Sequence, residues 1–317
     1  MTIQKRTFFI VIFALTTIGL VSVSCNNDKK IPAFIVINKE DITVLYNSTL
    51  GTGSTAHDFS DVWVNVNGTI LGCWELPARI PVLEQGSCNI VVKAGIILNG
   101  MKSSHSAYSF FKFFETTVDL EPHSETRLYP VFAYIDNLSS PASSIENFES
   151  AGIRLTPSSD SQAGIDKIET PNLIYKNPYD SLDVNHYSGF TELKDTAFYF
   201  DLRSENLELF SDGTYRTFFE CNYNIDAKND PSNPEASVGI GLIAVSSSGN
   251  TTHYPVVMLN PSEGQWKKIY VDLSQVVGQN YTARYFVLQI TGFRETHEKA
   301  VKFYFDNLRI IQHPSYY

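Results

Sequence analysis

The sequence predicts an all-β protein made of two antiparallel β-sandwich domains in series. Three observations carry that reading. The chain is ring-rich, with 21 Phe and 17 Tyr among 317 residues, and it is well supplied with Thr, Val and Ile; these residues suit pleated, half-buried surfaces. Short apolar runs separated by turn residues recur from about residue 31 onward, and only Ser274 to Gln279 offers a turn of helix. A small polar stretch with a proline, Asn137-Leu138-Ser139-Ser140-Pro141-Ala142-Ser143-Ser144, divides the chain as inter-domain connections do.

The N-terminal end comes first. Lys5 and Arg6 precede an uncharged, mostly apolar run from Thr7 to Ser24, followed by Cys25. A basic region, an apolar stretch and small residues before a cut site are the layout of an export signal. The reading is a signal peptide over 1–24, a lipidated Cys25 and a polar tether over 25–30. The competing readings are plain secretion and an uncleaved anchor, since 18 uncharged residues sit at the short end of the roughly 17–25 that span a bilayer. Removing Lys5 and Arg6 leaves 22 basic against 34 acidic residues. That surface repels nucleic acid and anionic headgroups, so neither is expected as a partner. About 290 residues remain, enough for two domains of ordinary size.

The first domain is placed at 31–136. Phe34 to Ile37 and Ile42 to Tyr46 are short strands. Val62 to Leu71 is the clearest hairpin, because Val62, Val64 and Val66 share a face and Asn67-Gly68 supplies a type I′ turn. Gly86 turns the chain into Asn89 to Ile97, and Phe113 to Leu120 leads into Arg127 to Tyr134. Cys73 and Cys88 stand symmetric about Ile80-Pro81. If their strands pair, a disulfide follows, worth roughly 3 kcal/mol in the chain-entropy model; otherwise they are two free thiols. The run Tyr108 to Phe114 crowds five rings into seven positions. It reads as packing onto the second domain or as a docking patch for an envelope protein partner.

The second domain, 145–317, has longer strands: Ala197 to Leu202, Tyr215 to Ile225, Val238 to Val245, Tyr254 to Leu259, Trp266 to Leu273, Tyr285 to Gly292 and Ala300 to Ile311. Cys221 has core parity in its strand. A long acidic loop, 226–237, joins two of these strands and is either a binding loop or variable surface.

Three resemblances add to this. The segment ending in Cys25 resembles the lipobox of Bacteroidetes surface lipoproteins, which implies a lipid-anchored protein of the outer membrane or cell surface. Val62 to Gly95 resembles bacterial surface modules of the PEGA type, which implies an immunoglobulin-like first sandwich. Ile145-Glu146-Asn147-Phe148-Glu149, Gly264 to Leu273 and Phe303 to Ile310 resemble galactose-binding-like jelly rolls of carbohydrate-binding modules. That likeness implies a closing strand beside the first segment, and glycan recognition by the second domain. It also implies a structural calcium, with Glu146 or Glu149 and Asp306 as the oxygen donors.

Stacking on a sugar ring needs exposed aromatic side chains beside hydroxyl-reading polar groups. Tyr179, Tyr187 and Tyr254 are the candidates by their positions near loops, whereas Trp266 is expected in the core. The nucleophile elbow, the His-Glu-x-x-His helix, the P-loop and the alternating acids of sandwich glycosidases are all missing. His297-Glu298, a close His–acid pair, reads as an exposed turn. The expected role is therefore non-catalytic: glycan binding, or else a protein-interaction or structural role in an envelope assembly.

Overall fold

The computed structural model describes residues 31–51, 53–144, 146–182, 184–229, 235–295 and 299–314. The signal, Cys25, the tether, Ile145, residues 230–234 of the acidic loop and His297-Glu298 lie outside the described residues.

The first domain contributes β1 (Ala33–Ile37), β2 (Thr43–Val44), β3 (Asp61–Val66), β4 (Thr69–Glu75), β5 (Ala78–Val82), β6 (Gly86–Ile97), β7 (His105–Ala107), β8 (Phe114–Leu120), β9 (Glu125–Arg127) and β10 (Val131–Phe132). The β3–β4 hairpin turns on Asn67 and Gly68, with φ of 49° and 84°, the two positive values a type I′ turn requires. Strands β4, β3, β6 and β7 lie side by side, and β8 pairs with β6. Facing them is a smaller sheet, β5-β1-β9. Two pairings in this domain are parallel rather than antiparallel, β1 with β9 and β2 with β10, because the chain returns after β8 to run alongside its own start. Ile35, Val62, Val64, Ile80, Ile90 and Val92 fill the space between the layers.

The second domain contributes β11 (Leu155–Pro157), β12 (Asp166–Ile168), β13 (Ser188–Leu193), β14 (Tyr199–Ser204), β15 (Tyr215–Asp226), β16 (Ala236–Val245), β17 (Thr251–Leu259), β18 (Lys267–Asp272), the six-residue helix α1 (Ser274–Gln279), β19 (Tyr285–Arg294) and β20 (Val301–Pro314). Two five-stranded sheets, β11-β14-β19-β16-β17 and β12-β13-β20-β15-β18, stack as a jelly-roll sandwich. Phe200, Phe219, Phe286, Phe303 and Phe305 are buried between them. The opening segment does run beside the closing strand, through an antiparallel bridge between Glu146 and Leu308. Strand β13 escapes a sequence reading because Ser188-Gly189 offers no apolar signal; Gly189 is there because the Phe148 ring lies where its side chain would be.

The connecting stretch is fastened down. Ser139 bridges Gln312, and the Ser144 hydroxyl lies 3.2 Å from the Ile310 carbonyl oxygen. The domains form one interface, and its centre is polar. Glu220, Lys268 and Arg309 project from β15, β18 and β20 onto the outer face of their sheet, each with a side chain 0–1% exposed. Lys268 Nζ lies 2.7 Å from Glu220 Oε2 and donates to the Ala56 carbonyl, also at 2.7 Å. Arg309 donates to the Gly53 carbonyl at 2.6 Å, and the Tyr108 hydroxyl donates to Glu220. Around this centre Tyr108 and Phe110 meet Phe218, with centroids 5.6 and 5.4 Å apart, and Tyr108 meets Tyr270. The ring-rich run is thus largely the inter-domain core and not a free docking patch.

The predicted disulfide is not formed: Cys73, Cys88 and Cys221 are free. Cys88 points into the first core on β6, whereas Cys73 lies at the surface on β4, with β3 between the two strands. Thiols on opposite faces of non-adjacent strands cannot bridge. Symmetry about Ile80-Pro81 misleads because β5 leaves this sheet to pair with β1.

Candidate functional site

One face of the second sandwich is covered and the other is open. Under the N-terminal domain lies the outer face of β15, β18 and β20. Among the described residues the outer face of β14, β19, β16 and β17 has no such cover, and the register shows what it presents. Strand β19 alternates strictly, burying Phe286, Leu288 and Ile290 and turning Gln289, Thr291 and Phe293 outward. Tyr199 stands opposite Phe293, Asp201 opposite Thr291 and Arg203 opposite Gln289. On the other side of β19, Gly239 lies opposite Thr291 and Gly241 opposite Gln289, with Met258 and Pro255 beyond them on β17. Two residues without side chains therefore floor a depression of about 340 Å³, lined by Gly239, Gly241, Pro255, Met258, Gln289 and Phe293.

Rings and polar side chains stand side by side along it. Tyr199 and Phe293 make a ring pair with centroids 5.0 Å apart and planes tilted by 43°; Phe293 is 37% and Met258 58% exposed. A polar row runs beside them. Arg203 donates to Asp201 Oδ2 at 2.7 Å, Gln289 Nε2 donates to Asp201 Oδ1 at 3.0 Å, and His253 Nδ1 lies 3.1 Å from Gln289 Oε1. Burial pushes the Asp201 carboxyl up, but the bonds from Arg203, Gln289 and Ser158 outweigh it and hold the group below its ordinary value. Asp201 thus stays ionised and fixes donors and acceptors along the groove.

The three tyrosines chosen from the sequence stand elsewhere. Tyr179 stacks on His57 at 4.2 Å and 13°, inside the inter-domain seam; His57, sandwiched in turn against Phe59, is pushed down to about 3 by burial and by Lys268 and Lys39, and so stays neutral. Tyr187 packs against the sandwich core with Lys167 5.4 Å from its ring centroid. Tyr254 lies opposite inward-facing Leu242 and donates its hydroxyl to Asn280 at 2.9 Å. Trp266 sits half-buried between Tyr175 and Tyr304 on the covered side. Tyr199 stands between Phe198 and Phe200 in a strand that looks like core, and Phe293 falls just beyond the expected strand Tyr285 to Gly292. The available signal was Gly239-Ile240-Gly241, two side-chain-free positions of the same parity.

The acids expected to hold calcium are engaged with protein donors. Glu146 accepts the backbone N–H groups of Phe148 and Arg154, at 2.6 and 2.5 Å. Glu149 accepts those of His186 and Tyr187. Asp306 accepts Asn185 and Ser188 side chains and the Asn307 N–H. Glu146 and Asp306 come to neighbouring stretches, but Glu149 is directed to the 186–187 turn, and the three do not converge.

The first domain has an open face of its own. Trp63, Ile70, Val91 and Phe113 line a depression of about 600 Å³ between β4 and β8, bordered by Asn65, Asn89, Lys93 and Glu115.

No protein-family description matches this sequence, and no curated protein matches it. Solved structures do resemble it in shape. One is the C-terminal family 22 carbohydrate-binding module of Clostridium thermocellum Xyn10B, 16% identical, with 54% of this chain and 95% of that one covered and a TM-score of 0.35. Another is the CBM22-1 xylan-binding domain of Paenibacillus barcinonensis Xyn10C, 12% identical, with 56% and 100% covered and a TM-score of 0.35. The likeness is one of β-sandwich fold alone, and no residue role is carried across from it.

Proposed function

We propose that this chain is a non-catalytic glycan-binding lipoprotein, anchored to the outer membrane or cell surface through Cys25, with the open face of the second sandwich as its binding surface. The observation that carries the reading is the pairing of Tyr199 and Phe293 with the Asp201–Arg203–Gln289–His253 row over the Gly239–Gly241 floor. Rings offer apolar area to a pyranose face at little entropic cost, and fixed polar groups read its hydroxyls. The anchor rests on the basic, apolar and small-residue order that ends at Cys25.

The test is binding to a broad panel of soluble polysaccharides. Wild-type protein is expected to bind at least one with micromolar to millimolar affinity, and Tyr199→Ala and Phe293→Ala to weaken it at least tenfold. Tyr179→Ala, Tyr187→Ala and Tyr254→Ala should leave affinity unchanged. A folded protein that binds no glycan would shift the assignment to a second reading, a protein-interaction role in an envelope assembly. That reading is favoured by the apolar Trp63–Ile70–Phe113 face, where Ile70 is 76% and Phe113 55% exposed.

A further inference from the structure

A second, unrelated cluster lies at the edge of the first domain's sheet. Asp61 on β3 points away from the core, and its carboxylate rests directly over Gly95 of β6: a Cβ there would fall 1.7 Å from Asp61 Oδ1. Because Gly95 has no side chain, groups from strands on either side reach the same carboxylate. Cys73, on β4, donates its thiol to Asp61 Oδ1 at 3.1 Å. His105, on β7, places Nδ1 2.7 Å from Asp61 Oδ2. The Ser60 hydroxyl donates to Oδ2 at 2.6 Å and fixes the carboxylate's orientation. Glu75, opposite Asp61 on β4, brings Oε1 to 3.9 Å from His105 Nε2. Sulfur, nitrogen and carboxylate oxygen from three strands lie within 4.8 Å of one another.

We propose that Asp61, Cys73 and His105 form a binding site for a thiophilic divalent transition-metal ion of the zinc class, with Glu75 or a water molecule as fourth ligand. Thiolate and imidazole donors select such an ion over calcium or magnesium, which take oxygen ligands. Around zinc, bonds of about 2.0–2.3 Å set tetrahedral donor separations of about 3.3–3.7 Å. The present separations of 2.7 and 3.1 Å are those of donors sharing protons, and small side-chain rotations open them. Ion entry releases the thiol proton of Cys73 to solvent, moves the Nδ1 proton of a neutral His105 ring to Nε2 (a protonated ring instead gives up its extra proton to solvent), and replaces the two hydrogen bonds to Asp61 with bonds to the metal. Burial and the Asp61 carboxylate push the free thiol up to about 12, so the unloaded site keeps its proton. The Ser60 bond to Asp61 matches the outer support that metal-ligating carboxylates receive. Loaded, the ion would replace the hydrogen bonds that now join β4 and β7 to Asp61 of β3 with metal bonds.

The experiment uses the full chain, stripped with a chelator and titrated with zinc by calorimetry and with cobalt by absorption. One equivalent of zinc should bind with a Kd of about 10 μM or tighter, cobalt should give a thiolate charge-transfer band, and zinc should raise Tm. Cys73→Ser should abolish the band and weaken zinc about 100-fold, and His105→Gln should weaken it at least about tenfold. Both positions are at the surface or partly exposed, and circular dichroism melts of the metal-free variants establish that each is folded. Cys88 and Cys221 are buried, so loss of the band in Cys73→Ser assigns the thiolate. Absence of zinc uptake, or uptake that Cys73→Ser and His105→Gln leave unchanged, overturns the proposal.

Discussion

The two outer faces of the second sandwich are made from strands of the same kind and meet opposite surroundings. On β15 and β20 nearly every residue is buried, on both faces, because the N-terminal domain lies over one of them. On β19 burial alternates residue by residue. The covered face carries charge, Glu220, Lys268 and Arg309, each aimed at a named group across the interface. The open face carries rings and a polar row whose hydrogen bonds close among themselves. A face that meets protein needs its buried polar groups matched one by one, since an unmatched one costs several kcal/mol. A face left open meets water, which can serve any polar group the row leaves unpaired.

The sharpest way to break this contrast is to unmatch the covered face. Removing one partner of a buried ion pair leaves an uncompensated charge and costs about 3–5 kcal/mol. Glu220→Ala should therefore lower unfolding free energy in denaturant by that amount, and a loss below about 1 kcal/mol would mean that water reaches the cluster. Burial pushes the Lys268 ammonium down, and Glu220 only partly restores it. Burial likewise pushes the Glu220 carboxyl up, but Lys268, Arg309 and Tyr108 outweigh it and hold it below its ordinary value. A depressed carboxyl contributes stability above its unfolded pKa, near 4.3, and loses it as pH falls through the lower folded value. Tm should accordingly drop more steeply below about pH 4 in wild type than in Glu220→Gln.

A smaller break comes from Tyr108, whose hydroxyl donates to Glu220 from the other domain. Tyr108→Phe keeps the ring packed against Phe218 and Tyr270 and removes only that bond. The expected cost is about 1–3 kcal/mol, the range for leaving a buried acceptor short of a donor. Equal stability of the variant in urea titrations would show that a water molecule replaces the hydroxyl.

The contrast also explains what the sequence could disclose. The hairpin at Asn67-Gly68, the long strands of the second domain and the turn of helix at Ser274 were legible from local turn chemistry and runs of strand-forming residues, and the pairing of the first segment with the last followed from the resemblance to jelly rolls. The faces were not. Tyr179 and Tyr254 look exposed only because they stand near loops, and nothing local says that one meets His57 or that the other faces Leu242. Cys73 and Cys88 look paired in one dimension, although β5 leaves their sheet. Which face of a sandwich is covered depends on contacts between residues more than 100 positions apart, such as Arg309 with Gly53.

On the open face the same substitutions should touch stability little. Phe293→Ala removes a ring that is 37% exposed, and the expected change in unfolding free energy is below about 1 kcal/mol, as for surface positions. Thermal melts of Tyr199→Ala and Phe293→Ala beside Phe218→Ala, which empties the covered side and should cost about 3–5 kcal/mol, measure the contrast directly. Comparable losses at all three would mean that the open face is also load-sharing core.

The smallest effect is expected from calcium. A calcium site needs about 6–8 oxygen ligands, and the carboxylates of Glu146, Glu149 and Asp306 already accept N–H and O–H donors from Phe148, Arg154, His186, Tyr187, Asn185 and Ser188. To bind calcium these carboxylates would have to give up or share those donors, and an N–H left without an acceptor in the buried part of the cluster is costly. Adding millimolar calcium to metal-free protein should thus move Tm by less than about 1 °C, since a ligand stabilises only in proportion to its binding of the folded state. A rise of several degrees, lost in Asp306→Asn, would show that the Glu146–Asp306 neighbourhood rearranges around an ion, and that the covered half of the sandwich holds a site its hydrogen bonds conceal.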